Sequence, residues 1–587
     1  MSDTKIKSIL AADFGSVNTR ALLFDVVEGE YRLVAQGRSR TTIGSPVDDA
    51  HIGLSSVLRE MAVATGRRFL DEQGSVIRPE QANRVGVDYY VTTASAGQAL
   101  RMVLVGLYPG HDLGAAQRAI APFYIKVAAA VHLEDGLGPK GRLNRIVHSR
   151  PQLILVTGGT DGGVRAVLLE MLSVVRQAVA LLPMGSRPTV IFAGNSSLTT
   201  AVREMLSQQA EVLIAPNIVG GGENTWEAAQ TVLASVLGDH KWHGRSFQRV
   251  AAMTDSGISP TARGVETMTA FFSRALQQDV LAIDIGSARS TLSLAGNGRV
   301  WTGIHNDIGM GHSAASALEL IGEEAVSDWL PFYPRKGELA QYVLNKGLRL
   351  ENVPREMRER TIDYALLRAG LRYMLRAARE SGSSAVDPAR VGMVLVAGAA
   401  MTGGGQGALD MLMLSDALQC AGVLRVKADP HGALSALGAL ATRQPMAVVQ
   451  LANSVLEDVG TLICASGKST ADATALKVSV RLENGELLRR EIADGDVWRL
   501  PLESGATAEV RIQARRGLTV GGKRRLRLQL TGGRGGLLFD ARLDSLEKES
   551  SLTVRAVNML RWFAAVSGAD EPVVIPESWL ATAEVVT

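Results

Sequence analysis

Two stretches decide how this chain folds: Ile9-Leu-Ala-Ala-Asp13-Phe-Gly15-Ser16-Val-Asn-Thr19 and Val280-Leu-Ala-Ile-Asp284-Ile-Gly286-Ser287-Ala-Arg289-Ser290-Thr291. In each, an apolar run ends in Asp-x-Gly-Ser, and a hydroxyl residue and a second apolar run follow. Glycine at that point permits a tight hairpin. Its backbone N–H groups, with the serine hydroxyls, suit phosphate oxygens. An aspartate at the strand end on the same turn can hold Mg2+ through waters or orient an attacking water. One such motif is equally a plain hairpin. Two in the same strand context imply a duplicated, two-lobed architecture with a phosphate clamp.

A third glycine cluster reads Met393-Val-Leu-Val-Ala-Gly398-Ala399-Ala-Met-Thr-Gly403-Gly404-Gly405-Gln. An apolar strand runs into glycines that open a helix, a turn in which backbone can lie against a nucleobase or ribose and a helix N-terminus favours anions. An ordinary strand-to-helix turn has the same pattern. Thr157-Gly-Gly-Thr-Asp-Gly-Gly163, after the apolar run Leu153–Val156, is read as a ligand loop or as another such turn.

Around these motifs, short continuous apolar runs recur at 9–12, 153–156, 189–192, 212–214, 280–283 and 393–396. Such runs, bounded by turn residues, predict strands buried on both faces, and their alternation with helical spacing predicts an α/β fold. That spacing predicts helices over 98–105, 114–130, 198–208, 226–237, 313–320, 356–378 and 408–421. Beyond Gly467 the pattern switches to period two, which predicts a mostly antiparallel β-domain with a basic segment at Arg511–Arg527. That segment reads either as solvated strand faces or as a docking surface for an acidic partner.

Composition narrows the class. With 587 residues, the chain is too long for one hydrophobic core. A formal net charge of +3 over that length nominates neither nucleic acid nor a membrane surface as partner. No apolar stretch approaches the ~18 residues of a membrane span. Two cysteines, Cys420 and Cys464, cannot build a disulfide framework, and a reducing cytoplasm is the expected compartment. The 61 glycines must fall where turns or close backbone approach need them.

Several local patterns fail on spacing. Gly467-Lys-Ser-Thr470 lacks the first glycine of a P-loop, since Leu462 stands there. Asp429-Pro-His431 resembles the start of a cobalamin-binding Asp-x-His-x-x-Gly, but Leu434 replaces the glycine. The small residues Gly432, Ala433, Ala436 and Gly438 instead predict a closely packed helix joining two lobes. His240 and His243 have no further metal-ligand pattern beside them.

The order of the three glycine motifs resembles the phosphate-1, phosphate-2 and adenosine motifs of the actin, sugar-kinase and heat-shock-chaperone ATPase superfamily. More narrowly, the chain resembles the glutamate mutase L family, accessory proteins encoded with cobalamin-dependent mutases and unrelated to the mismatch-repair protein of the same short name. The residues carrying this are Thr92–Tyr108, Leu153–Gly163, Val190-Ile-Phe-Ala-Gly-Asn195 and Asp307-Ile-Gly-Met-Gly311. The resemblance implies a duplicated actin-like (RNase H-like) two-lobe ATPase fold: a first lobe over 1–150, an α/β insertion over 151–265 and a second lobe over 266–466. A C-terminal mostly antiparallel β-domain over 467–545 and a tail with one helix over 546–587 follow.

It also implies ATP and Mg2+ as cofactors. Asp13 and Asp284 would be the catalytic and metal-holding carboxylates, with Gly15, Ser16, Thr19, Gly286, Ser287, Gly398, Gly403 and Gly404 around the nucleotide. The second loop departs from the family's Asp-x-Gly-Gly-x-Thr-Thr-Asp at Ser287, Arg289, Ser290 and Thr291, and Ala399 replaces a glycine in the adenosine-type loop. These departures fit both a nucleotide site and one that has lost hydrolysis, which leaves a weak ATPase activity open and gives no sign of mutase activity. The expected role is a chaperone or reactivating factor whose client is an adenosylcobalamin-dependent mutase, driven by ATP-coupled lobe closure. The alternative is a non-hydrolysing actin-like scaffold, and a small-molecule kinase ranks below both.

Overall fold

A computed structural model of the protein describes residues 6–44, 46–219, 223–242, 245–254, 257–350, 354, 356–380, 390–403, 407–468, 473–543 and 552–567. The chain divides into two compact units: residues 1–40, 56–94 and 259–587 form one, and residues 41–55 and 95–258 form the other.

The first unit is built on the predicted repeat. Strand Ser8–Phe14 turns back into Asn18–Val27 and then Glu30–Arg40, both antiparallel, while Tyr89–Ala94 lies parallel on its other side. Strand Val280–Ile285 does the same with Ser290–Gly296, Arg299–His305 and the parallel strand Met393–Ala397. Both sheets therefore share one order and one set of strand directions. The register is shared too. Asp13 faces Arg20 across its hairpin, and Asp284 faces Thr291 at the same offset. The two turns close identically, with Gly15 N–H donating to Asn18 O at 2.9 Å and Gly286 N–H to Arg289 O at 3.0 Å.

One core serves both sheets. Ile9, Phe24, Val280, Ala282 and Leu395 pack with Val265 and Met268 of helix Thr261–Leu276 and Leu434 and Leu437 of helix Ala433–Leu440. These two helices touch backbone to backbone. A Cβ at Gly438 would collide with the carbonyl oxygen of Gly264, and one at Gly264 with that of Ser435. Small residues in 432–438 therefore do what the sequence predicts: they let two helices cross at main-chain distance.

The second repeat's sheet grows beyond its counterpart. Gly422–Ala428, Glu457–Gly467, Gly536–Asp540 and Val497–Leu500 extend it in that order. The C-terminal region thus divides its strands. Thr474–Leu482, Leu487–Ala493, Thr507–Ala514 and Arg525–Thr531 form a separate four-stranded antiparallel sheet, packed through Val478, Val510 and Ile512 onto Leu537 and Phe539 of the larger sheet. Two buried arginines lie on the opposite face of the larger sheet, where Leu538 and Cys464 pack against helices Met357–Glu380 and Gly407–Leu418. Arg368 Nε pairs with Asp416 Oδ2 at 2.6 Å, and Arg542 bridges Asp416 and Asp540 at 2.5 Å each. The Arg542 guanidinium also lies 4.8 Å from the ring centre of Trp562 on helix Leu552–Ser567.

The second unit is a five-stranded, all-parallel sheet in the order Ile125–Val131, Leu100–Val105, Leu153–Val156, Thr189–Phe192, Val212–Ile214. Helices cover both of its faces, and a separate apolar cluster lies on each. Two helices expected here are corrected. Residues 98–105 contain the strand Leu100–Val105, and 114–130 splits into helix Gly114–Ile120 and strand Ile125–Val131. Leu-Arg-Met-Val-Leu-Val is apolar at nearly every position because its strand is central and covered on both sides, so it shows no period of two. Among the described residues no helix is long and apolar enough to cross a membrane.

Gly438→Val places two methyl groups where backbone already stands, and overpacking against immobile atoms costs about 1–3 kcal/mol or more. Urea unfolding of the variant is expected to show a midpoint lowered accordingly, whereas Gly298→Val, in an open turn, loses less than Gly438→Val.

Removing one buried cation should cost more. Arg542→Ala leaves Asp416 and Asp540 in a dry interior, a loss of about 3–5 kcal/mol, readable in the same unfolding curves.

Candidate functional site

The two Asp-x-Gly-Ser turns bring their carboxylates into one electrostatic neighbourhood in the first unit, together with a third. Asp13 is the next-to-last residue of its strand, with Arg20 opposite on one side and Thr93 opposite on the other. Its Oδ1 accepts hydrogen bonds from Thr93 Oγ1 at 2.6 Å and from Thr261 Oγ1 at 2.9 Å. Thr261 is the first residue of one crossing helix. Asp429 follows strand Gly422–Ala428 and caps the other, accepting the N–H groups of Ala433 at 2.9 Å and Leu434 at 2.7 Å. Thr93 Oγ1 also reaches Ser435 Oγ at 3.3 Å. Both crossing helices therefore begin at this cluster, where their N-terminal ends favour negative charge.

Arg20 is the cation these carboxylates share. Its guanidinium lies against the 429–432 turn, so close that a Cβ at Gly432 would come 2.7 Å from Nη1. The duplication has diverged here, because Thr291 stands in the second repeat where Arg20 stands in the first. Burial raises Asp13, and the hydroxyl of Thr93, the charge of Arg20 and the hydroxyl of Thr261 pull it back. Asp284 is pushed up to about 7 by burial and by the like charge of Asp13, with Arg20 offsetting only part. Asp429 is raised by burial against the N–H groups it accepts.

The remaining predicted residues distribute unevenly. Gly15 and Gly286 sit at the two hairpin turns, where a Cβ would meet the carbonyl oxygens of Asn18 and Arg289 at 3.0 Å. Ser16 is partly buried and makes no hydrogen bond among the described residues. Thr19 is fully buried and aligned with Phe14, on the opposite face of the hairpin from Asp13 and Arg20. Ser287 is committed elsewhere. Its Oγ accepts the N–H of His312 at 3.0 Å, and its carbonyl accepts those of Gly311 and Ser313. The Asp307–Gly311 segment therefore closes over the second turn, with Met310 N–H donating to Gly286 O at 2.9 Å.

Gly398 has φ +87°, and a Cβ there would collide with Ile285 O, which seats the third loop against the end of the Asp284 strand. Helix Ala399–Thr402 opens at that point, and Gly403 follows it, exposed. Gly404 and Gly405 lie outside the described residues, as do the side chains of His240 and His243. The Thr157–Gly163 loop belongs to the second unit, at the C-terminal end of strand Leu153–Val156. Its polar atoms are met locally: Asn195 Oδ1 accepts Gly162 N–H, and Asn217 Nδ2 donates to Gly159 O and to Asp161.

Arg20, Thr93, Thr261 and Asp429 were not predicted. The hairpin register could have exposed Arg20, which lies seven residues after Asp13 on the same face. Thr261 and Asp429 are brought in by tertiary packing alone. Among the described residues no group of three or more His, Cys, Asp or Glu side chains is placed to hold a metal. Two carboxylates with coordinated waters and phosphates remain the usual Mg2+ arrangement.

A repeated three-antiparallel, one-parallel strand unit with an aspartate turn in each copy and a glycine loop beside the second defines a duplicated actin-like fold. Residues 9–456 match the sequence model of the MutL protein family, and the chain belongs to that family, the glutamate mutase L proteins. No curated protein matches the sequence. Solved structures similar to this chain include a glycerol dehydratase reactivase, at 12% identity and a TM-score of 0.29, covering 75% of this chain and 100% of that one. A diol dehydratase-reactivating factor in nucleotide-free form follows at 10% identity and 0.28, covering 76% and 99%. Component A of the (R)-2-hydroxyglutaryl-CoA dehydratase of Acidaminococcus fermentans matches at 10% and 0.25, covering 73% and 96%.

The raised Asp284 sets a pH dependence. A carboxyl whose folded pKa lies above its unfolded value of 3.8 binds its proton more tightly when folded, so stability falls as pH rises from about 4 to about 7. Asp284→Asn removes that loss. Its melting temperature is expected to exceed wild type by more at pH 8 than at pH 5, and an equal offset at both would contradict the assignment.

Proposed function

We propose that this protein is a nucleotide-binding accessory protein for an adenosylcobalamin-dependent mutase, assisting or reactivating the enzyme through an ATP-coupled closure of its two repeats. Membership of the glutamate mutase L family supports the client class. The observation that carries the nucleotide reading is the convergence of Asp13 and Asp284 on Arg20, beside the glycine turn of Gly15 and Ser16. In this reading Gly15, Ser16 and the N–H groups of the first turn would hold phosphate. Asp13 and Asp284 would hold Mg2+ through waters, which would offset phosphate charge. Gly398 and Gly403 would leave room for the adenosine, and Gly286 would complete the second turn.

Asp13 would be the anion that orients a water, because two hydroxyls fix its carboxylate and Arg20 favours its charged form. A second reading, binding without turnover, is favoured by one feature: the Ser287 hydroxyl already accepts a backbone N–H and the 307–313 segment covers that turn. Both readings place ATP in the same site and differ only in phosphate release.

Calorimetric titration with Mg·ATP tests the shared claim. Wild-type protein is expected to bind, and Asp13→Ala to lose at least tenfold in affinity, about 1.4 kcal/mol. Equal binding by both, or none by wild type, would overturn it. Bound ATP that stays intact over hours would select the second reading.

A further inference from the structure

We propose that Cys420 and Cys464 are a redox-reactive dithiol that closes to an intramolecular disulfide on exposure to a hydroperoxide. Their sulfur atoms lie 2.9 Å apart. The backbone brings them there. Helix Gly407–Leu418 ends, Gln419 takes a left-handed turn at φ +47°, and Gly422 then pairs with Cys464 across strand Glu457–Gly467. Cys420 is partly exposed and Cys464 is buried, 3% accessible. This is the arrangement of an accessible attacking thiol beside a sheltered resolving one. The hydrogen bond to Cys420 and burial both push the Cys464 thiol well up, and Cys420 is the sulfur that a peroxide in solvent can reach.

The chemistry balances in two steps. The Cys420 thiolate attacks one peroxide oxygen, the O–O bond breaks, and water or an alcohol leaves as Cys420 becomes a sulfenic acid. The Cys464 sulfur then attacks the Cys420 sulfur, the S–O bond breaks, and water departs with the Cys464 proton. Two thiols lose two electrons in total, and the peroxide gains them. A dithiol reductant reverses the change by exchange.

Neither cysteine takes part in the carboxylate site, yet the bond would act near it in the chain. The helix that Cys420 follows begins at Gly407, just beyond the Gly398–Gly403 loop, so the disulfide would pin its far end to the strand Glu457–Gly467. Cys464 also touches Ser415 at 3.6 Å, whose hydroxyl donates to Asp540 of the buried ion network.

The test uses the full chain. After treatment with stoichiometric hydrogen peroxide and denaturing alkylation, intact mass spectrometry should show both thiols lost together, with a mass lower by two hydrogen atoms. Digestion should yield a linked peptide containing both cysteines, cleaved by dithiothreitol. Cys464→Ser should stop at a Cys420 sulfenic acid that dimedone traps, and Cys420→Ser should leave Cys464 unoxidised, each variant first shown to melt cooperatively. Independent oxidation of the two thiols, linkage between chains only, or no reaction in wild type would overturn the proposal.

Discussion

Everything at the carboxylate cluster depends on two helices meeting at bare backbone. Gly264 and Gly438 carry no side chain between them, so Thr261–Leu276 and Ala433–Leu440 cross at main-chain distance and share one core with both repeated sheets. Their first turns then fall at the strand ends that carry Asp13 and Asp284. Thr261 opens one helix and donates to Asp13, and Asp429 caps the other beside Arg20. A methyl at the crossing would meet backbone on the facing helix, so the helices would have to move apart at the point where the cluster is assembled. Packing and electrostatics are therefore one constraint.

The second consequence is asymmetry within a duplication. The two hairpins have the same register and the same turn hydrogen bond, yet Arg20 in one is Thr291 in the other. Arg20 is the cation that Asp13, Asp284 and Asp429 share. Burial and mutual repulsion push Asp284 up to about 7, a charge deficit that a divalent cation would relieve. Ser16 has no hydrogen bond among the described residues, while Ser287 holds the Asp307–Gly311 segment, so the second turn is braced and the first is not.

Much of this was legible in the sequence, for definite reasons. Asp-x-Gly-Ser after an apolar run is a local device, and its repetition announced two equivalent hairpins; the small residues of 432–438 announced a close helix crossing. Local signals failed where burial erased periodicity, as in Leu100–Val105, a central strand that reads like a helix. They failed again where partners meet only through tertiary contact: Thr261 is unremarkable in its own neighbourhood, and the local motifs that hold Thr93 and Asp429 do not place either residue beside Asp13. The period-two region after Gly467 was visible as β-structure, but that Gly536–Asp540 and Val497–Leu500 would continue the larger sheet follows from long-range pairing.

The measurement that bears most directly on a single site assembled from both repeats is hydrogen–deuterium exchange with and without Mg·ATP. Nucleotide should slow exchange together in the segments around Gly15–Thr19, Gly286–Ser290 and Gly398–Gly403, and at the first turns of the crossing helices from Thr261 and Ala433. Protection confined to one hairpin, or found only in the Thr157–Gly163 loop of the second unit, would contradict the account.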